Sequence, residues 1–181
     1  AHISHPLTQL TGGAKNDHLK WGPNQLAAFE SLKHALSDPN QILAYPDFSE
    51  NAEPFIIETD ACKVSEGSIL FQNQNGVKRI IAYASRSFSK TEQAWGIPQL
   101  EAHCIWWSVT KQFSYYVRAT NKPFRVHTDH KPCLVMQVSK VASERMYRWA
   151  LELQEYNMQI FHVNGSKHTD ADAISRLGYL K

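Results

Sequence analysis

Cysteine is scarce in this chain: Cys62, Cys104 and Cys133 are the only three, an odd number with no CxxC pair. That argues against a disulfide framework and against a zinc knuckle, and it reads as three reduced thiols in an intracellular protein. No apolar run approaches the ~18–20 residues of a membrane span, and no signal peptide is recognisable. Charge of one sign is also lacking. A net +2 over 181 residues neither announces nor forbids a nucleic-acid partner, so placement of charge has to decide. No repeat runs along the chain, which sets solenoid folds aside. An initiating Met is missing too, and the chain reads as a piece of something longer.

Apolar residues are present in ordinary abundance, 43% of the chain, enough to fill the core of one domain with an appendage. Residues 1–22 read as irregular, with Thr11-Gly12-Gly13 as a breaker. Gly22-Pro23 opens a helix whose Leu26, Phe29, Leu32 and Leu36 share a face, and "SDPN" (37–40) stops it. Residues 41–53 read as a linker. Strands are then expected at 55–59, 68–72 and 78–84, the last two joined through "NQNG", a hairpin signal. A long helix from about Ile97 to Tyr116, a strand at 124–128, a helix at 143–156 with Ser143 as N-cap, a strand at 158–163 and a short helix at about 171–177 complete the order β-β-β-α-β-α-β-α. A hairpin first and helical crossovers later imply an α/β fold, a mixed five-stranded sheet with flanking helices.

"PFIIETD" (54–60) and "PFRVHTD" (123–129) each run a strand up to an aspartate, 69 residues apart. If those strands are parallel neighbours, Asp60 and Asp129 emerge at the same carboxyl edge, where α/β sheets build their sites. Either Asp alone could equally open a turn. Glu101 shares a helical stripe with Ile105, Val109 and Phe113, the face a helix turns to a sheet. Burying an acid there costs several kcal/mol unless a cation or donor compensates. The alternative leaves Glu101 at the edge of the stripe, in water. Asp170 and Asp172 stand at the start of the last helix, where acids are favoured by the helix dipole in any case. Trp106, Trp107 and Trp149 read as core residues.

These segments, in this order, resemble the ribonuclease H domain of a gypsy-type LTR retrotransposon reverse transcriptase, over nearly the whole chain. "TDACKVSEGSILFQ", "IAYASRSFSKTEQAW", "VHTDHKPC", "RWALELQEY" and "NGSKHTDADAISR" carry the likeness. "ISHPLTQL", "KWGPNQLAAFESLKHAL" and "YPDF" resemble the end of a polymerase thumb and its tether, which implies a thumb remnant and tether at 1–50 and the ribonuclease H domain at 51–181. There are departures: Ser65 stands where Gly is usual, Ser68 where Ala is usual, and His168 where Asn is usual. "WGIPQLEAH" matches the acid-rich lead-in poorly, and the helix after Glu101 is one residue longer before its Phe than in many relatives.

The resemblance implies four catalytic, metal-holding acids, Asp60, Glu101, Asp129 and Asp172, the last selected over Asp170 by "ADAISR". It also implies a turnover-assisting His162. Such acids suit two Mg²⁺ ions, with Mn²⁺ as a substitute, in two-metal hydrolysis of the RNA strand of an RNA–DNA hybrid. Candidate contacts to the nucleic-acid backbone are Arg86, His130, Lys131, Arg145 and Arg148. The implied partners are the hybrid, the polymerase half of the same polyprotein and a reverse transcriptase dimer, with no membrane. The implied location is the cytoplasm, in virus-like particles. Two alternatives stay open: a catalytically inactive ribonuclease H-like structural subunit or hybrid-binding module, and a DNA-cutting relative such as a transposase.

Overall fold

The computed structural model describes residues 5–8, 10, 21–37, 43–138 and 143–164. The chain divides into two compact units, Ala1–Leu43 and Ala44–Lys181. The first contains α1 (His5–Thr8) and α2 (Pro23–Ser37). Pro23 occupies the first helical position, as its missing N–H allows. Leu26 and Phe29 of the expected apolar face are about half exposed, and Trp21 meets Phe29 edge-on at 6.1 Å.

The second unit is built on a five-stranded sheet of order β3-β2-β1-β4-β5. Its strands are β1 (Ile56–Ala61), β2 (Ser65–Gln74), β3 (Val77–Ser87), β4 (Phe124–Thr128) and β5 (Met158–His162). β1–β2 and β2–β3 are antiparallel; β1–β4 and β4–β5 are parallel. The sheet is therefore mixed, as expected. Asn75-Gly76 makes the hairpin turn with both residues at positive φ, 54° and 76°, the backbone that a two-residue hairpin demands.

Helices α3 (Lys90–Gln93), α4 (Ile97–Trp107), α5 (Ser114–Arg118) and α6 (Glu144–Leu153) follow the hairpin, with a 3₁₀ turn at Lys131–Val138. Ile57, Leu70, Ile81, Val126 and Ile160 pack on one face of the sheet with Ile105, Val109, Phe113, Trp149 and Leu153. The other face buries a smaller group, Ile56, Ile69 and Phe71. Ser143 stands at the N-cap of α6 but does not cap it with its side chain. Its hydroxyl accepts a hydrogen bond from Gln99 at 3.3 Å, tying α6 to α4.

The single helix expected from Ile97 to Tyr116 is interrupted by a π turn at Ser108–Gln112. An ideal helix advances ~100° per residue, so Phe113, twelve residues past Glu101, would drift ~120° off the stripe. A π turn absorbs one residue, and Phe113 and Val117 are buried in the same core as Ile105. This accommodates the extra residue noted in the sequence. The segment expected to be a linker differs as well. From Ala44 onward it is stitched to the sheet: Ala44 N–H donates to Ile80 O at 2.7 Å, and Lys122 Nζ donates to the carbonyls of Ser49, Glu50 and Ala52.

Candidate metal centre

β1 and β4 pair in parallel as Ile56↔Arg125, Ile57↔Val126 and Glu58↔His127. That offset, 69 residues, is also the spacing of the two Pro-Phe…Thr-Asp stretches. Continued two residues further, the register sets Asp60 beside Asp129 at the carboxyl end of both strands. Asp60 is buried and Asp129 exposed. α4 packs on β1 and β2 and brings Glu101 to the same edge. One carboxylate oxygen from each of Asp60, Glu101 and Asp129 lies within 4.8 Å of the others.

Glu101 is 4% exposed, so the alternative in which it reaches water does not hold. The Ile105, Val109 and Phe113 side chains on its stripe, each worth about 1.5–3 kcal/mol on burial, hold the helix down against that cost. Burial is the main force pushing the Glu101 carboxyl well above the usual range. The charges of Asp60 and Asp129 add to it, and a hydrogen bond from the Ala61 backbone partly opposes it. Glu101 Oε2 is buried without a hydrogen-bond partner among the described residues. An orphaned buried oxygen beside two further carboxylates is what a hard divalent cation would satisfy.

Two thiols border the cluster. Cys104 Sγ donates to Asp60 O and Gly67 O, both at 3.4 Å. Burial above all, then neighbouring carboxylates, pushes the Cys104 and Cys133 thiols upward. They stay protonated, which leaves an all-oxygen donor set and disfavours soft metals.

His162 ends β5 opposite Thr128, and its Nε2 donates to the Asp129 carbonyl at 3.0 Å. It therefore stands at the rim of the cluster. Asp172 and Asp170 lie outside the described residues, as does the helix expected at 171–177.

The expected backbone contacts divide. His130 donates its N–H to Thr128 Oγ1 at 3.2 Å, and its ring Nε2 is buried without a partner among the described residues. Lys131 is exposed beside it. Arg145 lies over the Trp95 ring at 4.4 Å, and Arg148 makes an exposed i,i+4 pair with Glu144. Arg86 departs from expectation. Its guanidinium is engaged by carboxylates, donating to Glu66 at 2.6 Å and to Glu92 at 2.8 and 3.2 Å. Trp107 and Trp149 are buried, and Trp106 stacks on Trp149.

Sequence reasoning missed Glu66 and His103, a buried pair 2.8 Å apart beneath Arg86. The available signal was a glutamate inside the otherwise strand-forming run "SEGSILF".

Comparison with known proteins agrees with this layout. The family described as an RNase H-like domain found in reverse transcriptase matches residues 50–156. The chain is 37% identical over 177 residues to the retrovirus-related Pol polyprotein from transposon 412 of Drosophila melanogaster, covering 98% of this chain and 14% of that polyprotein. Two solved structures share the fold. RNase H1 from Halobacterium salinarum NRC-1 has a TM-score of 0.55 at 14% identity, over 70% of this chain and 97% of that one. The foamy viral protease-reverse transcriptase in complex with RNA/DNA hybrid has a TM-score of 0.52 at 20% identity, over 90% of this chain and 22% of that one. With this sheet order, this acid cluster and this match along most of its second unit, the chain belongs to the RNase H-like domains found in reverse transcriptase.

Proposed function

We propose that this domain hydrolyses the RNA strand of RNA–DNA hybrids for the reverse transcriptase of a retrotransposon, leaving a 5′-phosphate and a 3′-hydroxyl. The observation that carries the reading is the meeting of Asp60, Glu101 and Asp129 at the carboxyl edge of two parallel strands. Mg²⁺, with Mn²⁺ as a substitute, would supply charge neutralisation at the phosphodiester and acidify the attacking water, as in two-metal nucleases.

Asp60, Glu101 and Asp129 would hold the ions, with Asp172 as a fourth ligand. The Ala61 N–H and the packing of α4 aim Glu101, and the Asp129 carbonyl orients His162 through Nε2. His162 would then move a proton at the leaving group or help the product depart.

A hybrid is read by shape and 2′-hydroxyls rather than by base edges. His130, Lys131, Arg145 and Arg148 would meet its phosphates. Residues 1–50 would be the thumb remnant and tether, and the polymerase half of the same polyprotein the covalent partner. Assembly of a reverse transcriptase dimer belongs to the same proposal.

The test is labelled hybrid with Mg²⁺ beside an Asp60→Asn variant. Cleavage by the parent and a loss of at least ~100-fold in the variant are expected, the scale of removing a group that stabilises transition-state charge. A parent that binds hybrid and leaves it whole would make the domain a binding module. Equal cleavage of duplex DNA would move it toward the DNA-cutting relatives.

A further inference from the structure

Away from the acid cluster, the second unit buries a set of polar groups that the proposed chemistry does not use. Glu66 of β2 is fully buried. It stands beside Ala61 of β1 and Arg86 of β3 in the strand register. Its Oε1 accepts Arg86 Nε at 2.6 Å and its Oε2 accepts His103 Nδ1 at 2.8 Å. The other side of the guanidinium binds Glu92, which closes the capping box of α3 with Ser89. His103 belongs to α4, two residues past Glu101. Its ring is boxed by Phe88, Trp95, Trp106 and Trp149 at centroid distances of 5.1–6.1 Å.

Such a group is a poor way to gain stability. Desolvating a carboxylate and a guanidinium costs several kcal/mol, and apolar residues of the same size commonly do as well or better. Hydrogen bonds supply what apolar packing lacks, which is direction. Leu100 and Ile105 could hold α4 on the sheet in more than one rotation. The Glu66–His103 bond admits one. Rotation matters here because Glu101 is buried in a cluster of three carboxylates with its Oε2 unpartnered among the described residues.

We propose that Glu66 and His103 form a positioning brace, holding α4 at the rotation that keeps Glu101 in the metal centre. Among the described residues neither bonds the carboxylates of Asp60, Glu101 or Asp129; they act through the helix. The brace rests on the proposed function only for the existence of a divalent-cation site.

The experiment is a Mn²⁺ titration of the 181-residue protein, with unbound Mn²⁺ followed by electron paramagnetic resonance. His103→Leu should weaken Mn²⁺ binding by about 10-fold, the usual scale for a residue that orients a ligand. Glu66→Gln, which retains a hydrogen-bond acceptor for His103, should fall between that variant and the parent. Glu152→Ala is the control. It removes the bond from Trp106 Nε1 of α4 to Glu152 of α6, and should lower Tm while leaving Mn²⁺ affinity unchanged.

An unchanged affinity in folded His103→Leu overturns the brace, as does an equal loss in Glu152→Ala or a parent that binds no Mn²⁺. Should His103→Leu fail to fold by circular dichroism, Glu66→Gln decides: parental affinity refutes the proposal. Hybrid cleavage is scored separately. A parent that binds Mn²⁺, shows the expected variant series and leaves hybrid intact would refute the nuclease and keep the brace.

Discussion

Gln72 and Asp47 pair as two strands would. The Gln72 side-chain oxygen accepts the Asp47 N–H at 2.8 Å, and its amide donates to the Asp47 carbonyl at 2.9 Å. A third bond reaches Glu53 O at 2.9 Å. A buried side chain on β2 thus gives backbone-like partners to a segment that belongs to no strand.

Gln72→Leu is expected to loosen residues 44–53 and cost about 2–3 kcal/mol, the loss of paired buried polar groups. Limited proteolysis should cut the variant in that segment well before the parent. Equal protection would show that Lys122, Gln74 and the Ala44–Ile80 bond secure it without Gln72.

Glu101 makes the metal-free protein sensitive to base. Its carboxyl is raised in the fold, so the protonated form is favoured there. The stability this lends is present below the ordinary glutamate range and is lost as pH rises through the raised value. Glu101→Gln should therefore match the parent at pH 4 and exceed it at pH 8 without metal. The gain in Tm would be about 2–4 °C for each kcal/mol. Added Mg²⁺ should stabilise the parent but not the variant, and thermal scans at both pH values check the sign.

Glu92 behaves in the opposite sense. Its hydrogen bonds to Arg86, the largest influence, hold the carboxyl down to about 2 from an ordinary 4.5. The stability contributed is present above 4.5 and lost as pH falls toward about 2. Denaturant melts of Glu92→Gln should show less stability than the parent at pH 7 and convergence near pH 2. A constant gap across that window would contradict the ion pair.

The π turn can be closed. Deleting Lys111, an exposed residue within it, should yield a continuous α-helix with Phe113 and Val117 still on the core face. Stability within ~1 kcal/mol of the parent is expected, since Lys111 is exposed and gives up only a surface cation–π contact over Trp106 at 5.0 Å, worth about 0.5–1 kcal/mol. Loss of the folded state on urea titration would mean that the wide turn itself is required.

Much of the sheet was legible because strand signals are local: β-branched runs, Asn-Gly at a hairpin and Pro-Phe at two strand starts. The burial of Glu101 was legible from its stripe. Periodicity names the face that is buried, however, not what it meets. Arg86 was read as a substrate contact because nothing near it in sequence reveals Glu66, twenty residues away across a strand pair. His103 was passed over for the same reason, its partner lying 37 residues off. The role of Gln72 depends on a segment whose own composition reads as loop. The π turn required an ideal helix to be tested against the stripe it was asked to carry.

The common offset that pairs β1 with β4 has a further consequence. Neighbouring strands lie ~4.8 Å apart, so the gap between the two aspartates is set by the sheet and not by the chain that joins them. Everything from the hairpin through α5 could be lengthened, trimmed or exchanged and that gap would persist. A slip of one residue in either strand would turn one acid to the opposite side. The pairing of the two aspartates is kept as a count along two strands, whereas Glu101 depends on the helix that carries it.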